Sequence, residues 1–189
     1  KCTVPQSCDI IYNGRYTEQH SFVYALLEQS SDYNIDKVIL IDTDNDSDAD
    51  LIKIDAYLPV YVKSANGDEL IIKNSLNNTV LNLKETDDSP KTEIYNASGA
   101  DINLSSVKQG SVASVFETID GKKKWKIIVS DSVCEGKLDA VSEENGKKIL
   151  TVDDSDFELS GIMLPYASEL KPGQEYTFAL DHNGNISGY

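Results

Sequence analysis

The stretch Lys37-Val-Ile-Leu-Ile-Asp-Thr-Asp-Asn-Asp-Ser-Asp-Ala-Asp-Leu-Ile-Lys-Ile54 sets an aspartate at every second position from Asp42 to Asp50, between two apolar runs. The runs, residues 38–41 and 51–54, are rich in β-branched and leucine side chains that suit a pleated, buried surface. The polar residues between them cannot be core. The reading is therefore a hairpin with the aspartates in its connecting loop. Five like charges in one tight turn repel one another unless something neutralises them. Calcium is the natural neutraliser, because it takes about six to eight hard oxygen ligands and tolerates flexible geometry. The candidate metal ligands are Asp42, Asp44, Asp46, Asp48 and Asp50. The competing reading is a solvated acidic turn that binds nothing in particular.

Counted from Asp42, an EF-hand requires glycine at its sixth position and a bidentate glutamate at its twelfth. Ser47 and Lys53 stand there, which excludes a standard EF-hand. The loop instead resembles the short Asp-x-Asp-x-Asp-Gly-x-x-Asp element found between two strands in integrin-type propeller blades and in some bacterial surface proteins. The resemblance implies side-chain ligands at Asp42, Asp44, Asp46 and Asp50, with the carbonyl of Asp48 as a further one. Ser47 departs from the pattern, because the usual glycine permits a positive φ. That departure implies a weaker or differently folded site.

The rest of the composition narrows the class. At 189 residues with 40% hydrophobic content, the chain is long enough for one sandwich or two small domains. Thirty-two acids against 17 bases give a net charge of −15, which repels a phosphate backbone and disfavours nucleic acid as a partner. No apolar run approaches a membrane span, and Lys1-Cys-Thr-Val-Pro5 carries no apolar signal region, so the chain reads as an excised or mature fragment. Three cysteines leave one odd: Cys2 and Cys8 are close enough to close a small loop in an oxidising exterior, with Cys134 far away, and three free, inert thiols are the alternative.

Before the aspartate hairpin come a short strand at 10–12, an Asn13-Gly14 turn, and a helix within 17–29 whose Phe22, Val23, Leu26 and Leu27 recur at helical spacing. After it the pattern is strand and turn. Strands are expected at 57–63 and 69–73 about an Asn66-Gly67 turn, then at 80–83 and 91–95. Others follow at 112–118, 125–129, 136–141, 149–152, 157–159 and 176–180, with turns at Asp120-Gly121, Asn145-Gly146 and Asn183-Gly184. The two halves align as an internal repeat. Ser64-Ala-Asn-Gly-Asp-Glu-Leu-Ile-Ile72 corresponds to Glu143-Glu-Asn-Gly-Lys-Lys-Ile-Leu-Thr151, and the hairpin of 114–129 corresponds to the aspartate hairpin. The expected fold is all-β with minor α: a lead-in strand and short helix over 1–32, then two tandem small antiparallel β-barrel or sandwich modules over 33–107 and 108–189.

Catalytic constellations are sparse. His20 falls in the helix and His182 beside a turn, and neither lies in a nucleophile motif. Cys134 lacks the surroundings of a reactive thiol. With so many acids, a glycosidase-like carboxylate pair carries no signal. Lys122-Lys-Lys-Trp-Lys126 is the one basic cluster with an aromatic, and it reads more readily as a hairpin edge blunted by lysines than as a contact for an acidic wall polymer or sugar.

The aspartate run, together with Val107-Lys-Gln-Gly-Ser-Val-Ala-Ser-Val115, Ile127-Ile-Val-Ser-Asp-Ser-Val-Cys-Glu-Gly-Lys-Leu138 and Leu170-Lys-Pro-Gly-Gln-Glu-Tyr176, resembles modules of large secreted or surface-layer-associated proteins of clostridia and related Firmicutes. The resemblance covers roughly residues 33–189. It implies an extracellular or wall-exposed structural or adhesive region, of a kind often without any assigned activity, joined to other domains of a larger surface protein; no enzymatic activity is expected. The alternative is an accessory carbohydrate-binding module for cell-wall or host glycans, using Trp125 and some of the ten tyrosines as stacking platforms. Aromatics turned inward favour the first, and coplanar exposed ones the second.

Overall fold

A computed structural model describes residues 3–5, 7–28, 32–68, 71–84, 92–119 and 125–189. In chain order the elements are β1 (Asp9–Tyr12), β2 (Arg15–Thr17), α1 (His20–Leu27), β3 (Asn34–Ile41), β4 (Leu51–Asn66), β5 (Ile71–Asn74), β6 (Val80–Asn82), β7 (Glu93–Asn96), β8 (Val112–Glu117), β9 (Trp125–Ser130), β10 (Val133–Glu144), β11 (Lys147–Val152), β12 (Ser155–Glu158), β13 (Glu175–Leu180) and β14 (Ile186–Gly188). The chain is mostly β, as expected, with a first sheet curled into a half-barrel and a second sheet beside it.

β4 is the spine of the first sheet. Its leading half pairs in parallel with β1 and antiparallel with β3, and its trailing half pairs with β8 and β5. Ile52, Ile54 and Ala56 enter one cluster, and Val60 and Val62, further along the strand in the same alternation, enter another. One strand thereby serves two apolar clusters. The first gathers Cys8, Ile10, Tyr12, Val23 and Leu26 around the leading half, and the second gathers Ile72, Leu83, Val115, Trp125 and Ile127 around the trailing half.

α1 lacks a side-chain N-cap and is short, so packing rather than propensity holds it. Val23 and Leu26, three residues apart, bury onto Ile52 and Ile54, while Phe22 meets Tyr12 and Tyr33 edge-to-face at 5.4 and 5.9 Å. The lead-in strand and short helix thus pack on the first sheet. They cover one end of β4.

The strand pairing departs from the division at 107/108. β8 and β9, placed by the repeat alignment in the second module, hydrogen-bond to β4 and to each other within the first sheet. The reason is side-chain burial: Ala113, Val115, Trp125, Ile127 and Val129 fill the cluster that Val60 and Val62 leave open. The second sheet, ordered β12-β11-β10-β13-β14, holds only residues from β10 onward and has its own core of Leu138, Leu150, Val152, Met163, Phe178 and Ile186. A second departure lies at Gly161–Glu169. These residues form 3-10 turns where no helix is expected, burying Ile162 and Met163 beneath that core.

The Asn-Gly turns form where the sequence places them at Asn13-Gly14 and Asn145-Gly146, with φ of 47° and 77° and of 51° and 81°. The expected Asp120-Gly121 turn, Lys122 to Lys124, and Cys2 lie outside the described residues, and with Cys2 the Cys2–Cys8 bridge. Cys8 is buried, with its Sγ donating to the Asp9 carbonyl at 3.3 Å. Among the described residues no helix is long and apolar enough to cross a membrane.

Candidate metal centre

β3 and β4 close the expected hairpin, with Ile41 opposite Leu51 and the Asp50 N–H bonded to the Ile41 carbonyl at 2.9 Å. The loop between them is built from its own carboxylates. Asp42 accepts the N–H groups of Asn45 and Ser47 at 2.7 and 3.0 Å, so its two oxygens fold the chain back over itself. Asn45 and Ser47 take left-handed φ values of 68° and 77°. Ser47 thus adopts the conformation that the resembling loops assign to glycine, at the steric cost that a β-carbon brings there.

Of the five aspartates, three converge. Asp42, Asp44 and Asp50 each place a carboxylate oxygen within 4.8 Å of the others'. Asp46 and Asp48 are turned elsewhere: Asp46 accepts the Asp48 N–H at 2.8 Å, and the Asp48 carboxylate accepts the Thr3 hydroxyl. The N-terminal segment also clamps the loop through its backbone, Thr3 N–H to Ser47 carbonyl at 3.0 Å and Ala49 N–H to Thr3 carbonyl at 2.9 Å.

The electrostatics separate the three. The Asp46 N–H pulls the Asp44 carboxyl downward, but repulsion from Asp46, desolvation, and the charges of Asp50 and Asp42 carry it above the ordinary carboxylate range. Asp50 goes the other way, lowered by the Thr43 hydroxyl and then the Thr43 N–H. A convergent set of hard oxygens in which one charge is disfavoured is chemically suited to a divalent cation, with backbone carbonyls and water completing the shell. Asp42, Asp44 and Asp50 are the residues that could hold it.

Sequence reasoning missed a second polar assembly, between the sheets. Asp181, 2% exposed, follows β13. Its Oδ2 accepts from Tyr57 Oη at 2.7 Å, Asn185 Nδ2 at 3.1 Å and Asn34 Nδ2 at 3.2 Å, and its Oδ1 accepts the N–H groups of Asn183 and Asn185. Beside it, His182 Nδ1 lies 2.7 Å from Ser114 Oγ and Nε2 lies 3.5 Å from Asp36 Oδ1. The grouping has the composition of an acyl-transfer triad. Ser114, however, is fully buried within β8, where no substrate carbonyl reaches its hydroxyl, so the cluster works as packing between sheets. The only sequence signal was the polar density of Asp181-His-Asn-Gly-Asn185, which reads as an ordinary turn. His20 sits far along the chain at the start of α1, against Tyr24.

Some of the aromatics turn inward, while Tyr16 and Tyr189 are exposed. Trp125 is 8% exposed within its cluster, Tyr12 and Tyr57 are buried, and Lys126 lies over the Phe116 ring at 5.3 Å. A scan against protein-family models finds no match for the chain, and a search of the curated proteins finds no significantly similar sequence.

Proposed function

We propose that the chain is a non-catalytic structural or adhesive module of a bacterial extracellular or cell-wall surface protein, with calcium holding the tip of its β3–β4 hairpin. The observation that carries the reading is the convergence of Asp42, Asp44 and Asp50 at the end of the strand that runs through both clusters of the first sheet. A cation there ties down the entry to the spine and relieves the repulsion that the loop otherwise stores. A three-carboxylate site with one strained position is a weak one, of the class that extracellular calcium at about 10⁻⁴–10⁻³ M fills.

Inward-turned Trp125, Tyr12 and Tyr57 support the structural role over a stacking platform for glycans. The two sheets in series along the chain supply the stiffness sought from tandem modules, with the change of sheet between β9 and β10. The resemblance to clostridial surface modules supplies the setting: other domains of a larger surface protein as the immediate partners, outside the cell. The test is thermal unfolding in millimolar calcium and in chelator, beside a screen of peptidoglycan fragments and generic hydrolase substrates. The reading expects a calcium-dependent rise in Tm and no turnover. An unchanged Tm removes the calcium, and turnover abolished by a single Asp, Glu or His substitution removes the passive role.

A further inference from the structure

Between α1, the start of β3 and the β11–β12 edge of the second sheet lies a cleft of about 730 Å³, within the size range that takes a drug-sized ligand. Two asparagines that line it are held by hydrogen bonds. Asn185 directs its Nδ2 at Tyr57 Oη (3.2 Å) and Asp181 Oδ2 (3.1 Å), and Asn183 directs its Nδ2 at Asp36 Oδ1 (2.8 Å). No described protein group donates to either Oδ1. Both amides therefore keep a carbonyl oxygen for whatever enters, Asn185 held by Tyr57 and Asp181 and Asn183 by Asp36.

The walls are mixed. Leu164, an apolar residue left 42% exposed, and Tyr33 give the cleft an apolar side. Lys147 Nζ lies 2.7 Å from Glu158 Oε2, and both residues line the cleft together with Glu28 and Lys148. We infer that this cleft binds a short neutral oligosaccharide. A sugar hydroxyl both donates and accepts, so it can give its proton to the Asn183 or Asn185 oxygen while accepting from the Lys147 ammonium, and the C–H face of a pyranose covers Leu164 and Tyr33. An anion fits less well, because Lys147 is already matched by Glu158 and the whole chain carries −15. Amides pre-set by the Asp181 and Asp36 carboxylates lower the ordering cost of binding. The site uses none of the aspartate-loop residues and stands apart from the calcium reading and from Trp125.

The test is a ¹⁵N NMR titration of the full chain with cellotriose, mannotriose, tri-N-acetylchitotriose and, as the competing chemistry, inorganic phosphate. The expected result is a saturable shift of the Asn183 and Asn185 side-chain amides with at least one trisaccharide, and none with phosphate. Leu164→Arg, which fills the cleft from an exposed position, and Lys147→Met, which removes the donor, should each weaken that binding by about tenfold or more. No saturable shift with any of the three sugars overturns the inference. So does a response to phosphate in their place, or sugar binding that survives both substitutions unchanged.

Discussion

Tyr57 Oη donates to Asp181 Oδ2 at 2.7 Å, a bond between residues 124 positions apart that joins β4 to the turn leaving β13. Both groups are buried, and burial first, then the Asp181 charge, pushes the Tyr57 hydroxyl far above its ordinary value. It therefore remains a donor at any working pH. A buried carboxylate is tolerable only while its donors are complete. Tyr57→Phe removes one donor and should cost about 1–3 kcal/mol. Asp181→Ala, which orphans Tyr57, Asn34 and Asn185 together, should cost more. Urea unfolding checks both, and values within about 0.5 kcal/mol of wild type would mean the junction is not a stability determinant.

Gly188 supplies an independent probe of the same junction. A β-carbon built there falls inside the contact distance of the Tyr61 ring, so β14 and β4 approach only because that residue is glycine. Gly188→Ala must displace an aromatic ring and should destabilise by about 1–3 kcal/mol. Pairing it with Tyr61→Ala should recover part of the loss. Strictly additive effects in the double-mutant cycle would show that the ring is not what the glycine accommodates.

The hairpin, the short helix and the Asn-Gly turns were legible because each is a local pattern: period-two burial in 51–54, i to i+3 spacing of Val23 and Leu26, and turn chemistry at Asn13-Gly14 and Asn145-Gly146. Sheet membership was not. Which strands share a sheet depends on which segments fill each of the two clusters along β4, and that is set by contacts between residues far apart in sequence. The repeat alignment saw that 114–129 is a hairpin like 38–54, yet it carried no information on what that hairpin packs against. In the loop, spacing alone treats five alternating aspartates alike. Only the hydrogen bonds of Asp46 and Asp48 divert them from the three that converge.

His182 gives the junction a pH dependence. Its ring lies against Tyr57 at 4.7 Å and Phe116 at 5.7 Å, and it faces Ser114, Asp36, Asp181 and Lys126. Burial lowers its pKa below the ordinary value of about 6.5, the attraction of Asp181 and Asp36 notwithstanding. A base with a depressed native pKa binds its proton first in the unfolded chain. Stability contributed by neutral His182 is thus complete above about pH 6.5 and declines as pH falls toward the lower native value. His182→Gln should flatten that slope between about pH 7 and 5.5, the range in which histidine charge changes. An identical slope in wild type and variant would place the dependence on other groups.

The aspartate loop makes the sharpest pair of predictions because one of its two strains depends on calcium and the other does not. Asp44 is held above the ordinary carboxylate range by its neighbours, so in chelator Asp44→Asn removes repulsion and should raise Tm. In calcium the same substitution removes a ligand, and the metal-induced rise should shrink or vanish. The sign of its effect therefore reverses with the cation. Ser47→Gly acts on the backbone instead: it relieves a residue at φ 77° and should add about 1 kcal/mol in chelator and calcium alike. An equal gain in both conditions means that calcium affinity is unchanged, because the strain is relieved with and without the ion. Thermal melts of both variants in both conditions settle the matter. An Asp44→Asn protein less stable than wild type in chelator would show that the loop carries no stored repulsion, and the case for a cation at Asp42, Asp44 and Asp50 would go with it.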